Sequence, residues 1–110
     1  MILYEVNLTV SNEIQTEYLA WMPKHLQDML QFTGFNKVNF WEELPIDPNT
    51  TVSQDKHYFT VQFEIDSHEH LQDYLQNHAV RMRQEAIEKF GDKFSATRRV
   101  LILLRSKSHE

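Results

Sequence analysis

Ile2, Tyr4, Val6, Leu8 and Val10 recur at every second residue of the opening stretch, with Leu3, Glu5, Asn7 and Thr9 between them. Side chains alternate across a β-strand with a period of two, so this spacing predicts a strand with one face built for a core. The opposite face is mostly polar and is the surface of this strand able to meet a ligand or a partner. The same division returns later. His57, Phe59, Val61, Phe63 and Ile65 fall on one side, and Tyr58, Thr60, Gln62 and Glu64 on the other. Two such strands sit naturally side by side, sharing an apolar and a polar face.

Helical spacing fills the intervals. Ser11 or Asn12 can cap a helix whose inner face is Ile14, Tyr18, Trp21, Met22, Leu26 and Met29. Pro23 interrupts that face. An interior proline costs about 3 kcal/mol, which predicts a kink near Trp21 or a restart at Pro23. Gly34 stands where a C-terminal cap belongs. Phe35 to Leu44 reads as a second strand, with Val38 and Phe40 on one side and Lys37, Asn39 and Trp41 on the other. A loop with two prolines runs from Pro45 to about Lys56. Asp66 and Glu69 have the spacing of a capping box. The helix they open carries Leu71, Tyr74, His78, Met82 and Ala86 on one face, with a kink expected near Asn77-His78. Phe94 to Arg105 is the fourth strand. Its run Val100-Leu101-Ile102-Leu103-Leu104 does not alternate, which predicts burial on both faces.

The order strand, helix, strand, strand, helix, strand is the α+β ferredoxin-like βαββαβ pattern, a four-stranded antiparallel sheet with two helices on one face. The 110 residues suit a single domain, 1–105, with a polar tail at 106–110. Helices on one face leave Leu3, Trp41, Tyr58 and half of the fourth strand uncovered on the other. A patch of that kind marks an interface. A second copy packed sheet to sheet, as a symmetric homodimer, would cover it.

The chain resembles the dimeric α/β-barrel superfamily and, within it, a small bacterial family of undefined function. The resemblance rests on Met1-Ile2-Leu3-Tyr4-Glu5-Val6, Tyr18-Leu19-Ala20-Trp21-Met22, Tyr74-Leu75-Gln76-Asn77-His78-Ala79 and the ending from Phe90 to Val100. It covers Met1 to about Leu104. It implies a ferredoxin-like protomer, a homodimer, and a cleft between sheet and helices or between the two sheets. Superfamily relatives include cofactor-free monooxygenases, haem-degrading enzymes, isomerases and proteins with no known activity, so the fold does not choose a function. The haem-degrading relatives resemble one another in a strand-one Asn, a strand-three Trp and a second-helix His. Asn7 and His78 match the first and last, but the third strand carries Phe59 and Phe63 in place of the Trp.

Charge and composition narrow the chemistry. The formal charge of -5 argues against nucleic acid or an anionic membrane as partner. RNA binding on the sheet also fails for want of stacking rings on a face that carries Glu5 and Glu64. No apolar run approaches the roughly 20 residues of a membrane span, and no signal peptide is evident. There is no Cys, so neither a thiol nucleophile nor a Cys-based metal site is available, and a cytoplasmic, reducing location fits. The two glycines, Gly34 and Gly91, exclude a Gly-rich phosphate loop. No metal motif stands out, since His68 and His70 point about 200° apart on a helix. Surface positions suit them, together with His25 and His57.

The best site candidate is the polar sheet face. Glu5, Asn7, Trp41, Tyr58, Gln62 and Arg99 are its ligand-binding candidates, together with Thr9, Thr60 and Glu64. The same groups serve equally well as hydrogen-bond partners across a dimer. Arg98 and Arg99 are consecutive in a strand, so one points to each face, and one of them can pair with Glu5 or Glu64. His78, Tyr58 and Glu64 are weak catalytic candidates, with His78 the natural general base. Trp21, Met22, Met29 and Met82 read as core. The leading expectation is a homodimer that binds a small molecule or serves as an interaction module, without a cofactor. The alternative is a cofactor-independent monooxygenase- or isomerase-like enzyme acting on a small aromatic or polyketide-like substrate.

Overall fold

The computed structural model describes residues 1–51 and 55–109. In chain order the elements are β1 (Ile2–Ser11), a 3-10 turn (Asn12–Ile14), α1 (Gln15–Met29), β2 (Phe35–Glu42), β3 (Lys56–Ile65), α2 (His68–Asn77), α3 (Ala79–Phe90) and β4 (Phe94–Ile102). The sheet runs β2-β3-β1-β4 with every neighbour antiparallel, which is the α+β ferredoxin-like fold. The central pair is β1 with β3. Tyr4 lies opposite Phe63, and Leu8 opposite Phe59, so the two apolar faces merge. Tyr18, Met22 and Met29 of α1, Leu71 and Tyr74 of α2, and Met82 and Phe90 of α3 complete the buried core.

In β2 the register jumps between Phe35 and Lys37, leaving Asn36 as the extra residue of a bulge. The bulge shifts the parity of the strand. It lets Phe35 and the even-numbered Val38 and Phe40 all reach the core side, while Trp41 points to the open face.

Several local expectations change. The helix α1 runs unbroken through Pro23. Pro23 is exposed, and so is Leu19, whose carbonyl loses its helical partner on the wet side. The C-cap of α1 is Leu30, not Gly34. Gly34 instead turns the chain with φ 86°, packed so closely that a Cβ would lie 2.5 Å from His70 Nδ1. Ser67, not Asp66, caps α2, accepting from the His70 amide at 3.2 Å. Asp66 bonds the His70 ring at 2.6 Å instead. The expected kink is a full break: His78, with φ -131°, closes α2 and opens α3.

Two strands are shorter than expected, β2 ending at Glu42 and β4 at Ile102. Thr50 and Asn49 fold back onto Asp47 in the loop after β2. The remainder of that expected loop, residues 52–54, lies outside the described residues. The burial expected on both faces of β4 is not met within the protomer, where Val100 to Leu104 are all exposed. The reason is position: β4 is an edge strand, and the helices lie over β1 and β3. No helix among the described residues is long and apolar enough to cross a membrane.

Candidate functional site

Alternation in β1 sends Glu5 and Asn7 to the open face, and the neighbouring strands bring partners into register. Gln62 of β3 and Arg99 of β4 lie directly opposite Glu5, and Thr60 lies opposite Asn7. The result is a polar network across all four strands. Trp41 Nε1 donates to Gln62 Oε1 at 3.0 Å. Gln62 Nε2 donates to Glu5 Oε1 at 3.0 Å, and Asn7 Nδ2 to Glu5 Oε2 at 3.2 Å. Thr60 Oγ donates to Asn7 Oδ1 at 2.8 Å. Arg99 Nε donates to Glu5 Oε2 as well, so that oxygen accepts from both Asn7 and Arg99.

Glu5 is only 4% exposed, although it lies on the uncovered face. Its neighbours enclose it. The Arg99 hydrogen bond, followed by those from Gln62 and Asn7, holds its carboxyl below the usual carboxylate range despite burial. Glu5 is therefore an anion held by three donors, a poor general base and a good structural acceptor.

Five of the ligand-binding candidates therefore converge: Glu5, Asn7, Trp41, Gln62 and Arg99 line one open groove with Thr60 and Glu43. Tyr58 and Glu64 share the face but do not line that groove. Glu64 instead lies 3.8 Å from Lys37 Nζ. The choice between the consecutive arginines falls to Arg99 for the network. His78 is in the helical layer, its ring 4.6 Å from that of Phe32 and its Nε2 4.0 Å from Asp73. Asn7 and His78 thus lie on opposite sides of the sheet and cannot converge on one ligand within a protomer.

A second candidate site lies on the helical side, in the cleft expected between sheet and helices, where Trp21 and Met22 read as core and His25 as a surface residue. A cavity of about 290 Å³ separates the sheet from α1 and α3. Tyr4, Leu8 and Phe63 line it from the sheet, and Tyr18, Trp21, Met22 and His25 from α1. Ile87, Gly91, Ser95 and Arg98 line it and are exposed, so it opens to solvent between the end of α3 and β4. Two of its residues carry buried nitrogens without a hydrogen-bond partner among the described residues, His25 Nδ1 and Arg83 Nε. Burial holds the His25 imidazole below its usual value, hence neutral near pH 7. Burial also pushes the Tyr74 phenol up to about 12. The Trp21 ring stacks on His25 at 4.5 Å, one helical turn away.

His25 and Arg83 were not legible as site residues. One signal did exist: His25 sits at i,i+4 from Trp21, beside the apolar face of α1, and Arg83 adjoins Met82 on α3.

Residues 1–104 match the family model described as a domain of unknown function, DUF4286. The chain belongs to this family. The match spans β1 through β4, so the elements that build both the network and the cavity are those of a DUF4286 domain. Among curated proteins none matches. Solved structures share the fold. A proposed antibiotic biosynthesis monooxygenase from Deinococcus radiodurans is 13% identical with a TM-score of 0.73, over 100% of this chain and 99% of that one. A dimeric ferredoxin-like protein from an uncultured marine organism is 14% identical with a TM-score of 0.68, over 99% of this chain and 100% of that one. SnoaB, a cofactor-independent oxygenase from Streptomyces nogalater, is 8% identical with a TM-score of 0.63, over 96% of this chain and 95% of that one. At these identities the likeness is one of fold, and each activity is that protein's own.

Proposed function

We propose that this DUF4286 chain is a homodimeric small-molecule-binding protein of the bacterial cytoplasm, with residues 1–105 as one domain. Two copies pack sheet to sheet, and each holds its ligand in the cavity between sheet and helices. The carrying observation is that cavity. It has apolar and aromatic walls, a solvent opening, and residues with unpaired buried nitrogens, which is how a ligand site is furnished. The polar groove suits the interface better. Its acceptors and donors already satisfy one another, and exposed Leu101, Trp41 and Tyr58 share its face. The dimeric ferredoxin-like protein from a marine organism supports the same assembly.

One observation favours a second reading, a cofactor-independent monooxygenase- or isomerase-like enzyme. A neutral, partly buried imidazole at His25, beside an indole, is the base with which proton abstraction from an acidic aromatic substrate begins. The comparison with SnoaB is consistent with it.

Native mass spectrometry of freshly purified protein tests the first reading. A dimer carrying extra mass, lost in Ala86→Trp, supports it. A monomer overturns the assembly. A dimer whose melting temperature no small aromatic compound raises overturns ligand binding in the cavity.

A further inference from the structure

We propose that the cavity takes a small organic anion, its acidic group met by Arg83 and Arg98 and its ring-sized apolar body lying against Trp21 and Tyr18. The inference rests on reading the cavity as the ligand site and specifies what fills it.

The charge of the lining is the first observation. It contains Arg83, Arg98 and His25 but no Asp or Glu. Among the described residues, neither arginine pairs with a carboxylate. The chain as a whole carries -5, so a cationic cavity runs against its overall balance. The adjacent arginine, Arg99, is neutralised on the other face by Glu5.

The donors are the second observation. Arg83 Nη2 reaches the Tyr4 hydroxyl at 3.3 Å, while its Nε is buried and unpaired. A guanidinium with idle donors in a partly enclosed site lacks what would stabilise it there. A carboxylate presents two oxygens to that planar fork in matching geometry. Arg98 completes the arrangement from the exposed rim. Both arginines line the same cavity, Arg83 from α3 and Arg98 from β4.

Size and shape supply the third. About 290 Å³ lies at the low end of ligand pockets, which run roughly 300–1,000 Å³, so a one- or two-ring acid fits. Tyr18 lies 5.8 Å from the rings of both Trp21 and Phe94, a wall suited to a flat body.

Isothermal titration calorimetry with 2-naphthoate and its neutral isostere 2-naphthamide tests the proposal on the intact chain. We expect naphthoate to bind at least tenfold more tightly than the amide. We expect Arg83→Met to reduce that preference, weakening naphthoate binding more than amide binding, with Arg98 supplying what remains. Equal affinities in the wild type would overturn the anion assignment and leave the cavity as an apolar ligand site. No binding of either compound would overturn both. Undiminished naphthoate binding in a folded Arg83→Met would overturn the role of Arg83. Should that variant not fold, the wild-type comparison of acid with amide still decides.

Discussion

Arg99 on the edge strand β4 lies directly across from Glu5 of β1, and its Nε donates to the Glu5 carboxylate. The partners are unequal: the Glu5 side chain is 5% exposed and that of Arg99 62%. An enclosed anion is thus held by a cation that remains in water, on a face the protomer leaves open.

Removing the cation should cost more than its exposure suggests. Breaking a fully buried pair costs about 3–5 kcal/mol. Gln62 and Asn7 remain as donors to Glu5 and Arg99 itself stands in water, so Arg99→Ala should lower stability by less than that. Arg99→Lys should recover part of this. Urea denaturation at fixed protein concentration measures both.

Acid should destabilise the protein in two separable steps. Burial holds His25 below its ordinary 6.5, so the unfolded chain takes up that proton first, and stability falls as pH drops from 6.5 through the lowered native value. Glu5 is held below its ordinary 4.5, chiefly by the Arg99 hydrogen bond. Its contribution is therefore present above pH 4.5 and is lost as pH falls through the lowered native value. Chemical denaturation between pH 3 and 8 should show the upper step diminished in His25→Phe and the lower step diminished, though not abolished, in Glu5→Gln, because Glu13 and Asp66 are also held below the usual carboxylate range by Lys93 and His70.

Gly34→Ala should be among the costlier single changes. A methyl group there would sit 2.6 Å from Asp66 Oδ1 and 2.8 Å from His70 Cβ, on a backbone at φ 86°. Strain of this kind is worth about 1–3 kcal/mol, and the Asp66–His70 bond must open as well. Thermal melting would show the loss of stability. The His70 ring proton shifts in NMR would show its titration falling back from the raised value that Asp66 gives it.

Leu101 lies opposite Leu3 on the open face, 38% exposed. Leu101→Glu should turn the expected dimer into a folded monomer, read by analytical ultracentrifugation. The protomer loses no core contact, so its circular dichroism should be unchanged. A dimer that survives the substitution would place the interface elsewhere.

The two tryptophans report separate sites. Trp21 lines the cavity, and Trp41 lies 53% exposed in the network groove. Naphthoate should quench emission in Trp41→Phe and leave it unchanged in Trp21→Phe. Dilution across the dimer–monomer range should do the reverse.

Much of this molecule follows from local rules. The period-two spacing of β1 and β3 dictates which side chains share a face, and pairing converts that into a sheet with one apolar side. Glu5, Asn7 and Gln62 belong to the open side by parity alone, and Arg99 opposite Arg98 follows from the same alternation. What parity cannot supply is distance across the sheet. Arg99 meets Glu5 because of the register, and Trp41 reaches Gln62 because a bulge at Asn36 resets β2. The cavity is one step further from the sequence. Helical spacing says that Tyr18, Met22 and Met82 turn inward, but not whether they fill the space they enclose. That depends on how α1 and α3 sit against a twisted sheet, and here they leave an opening beside the edge strand. Tertiary packing alone turns His25 and Arg83 from helix residues into neighbours of one enclosed volume.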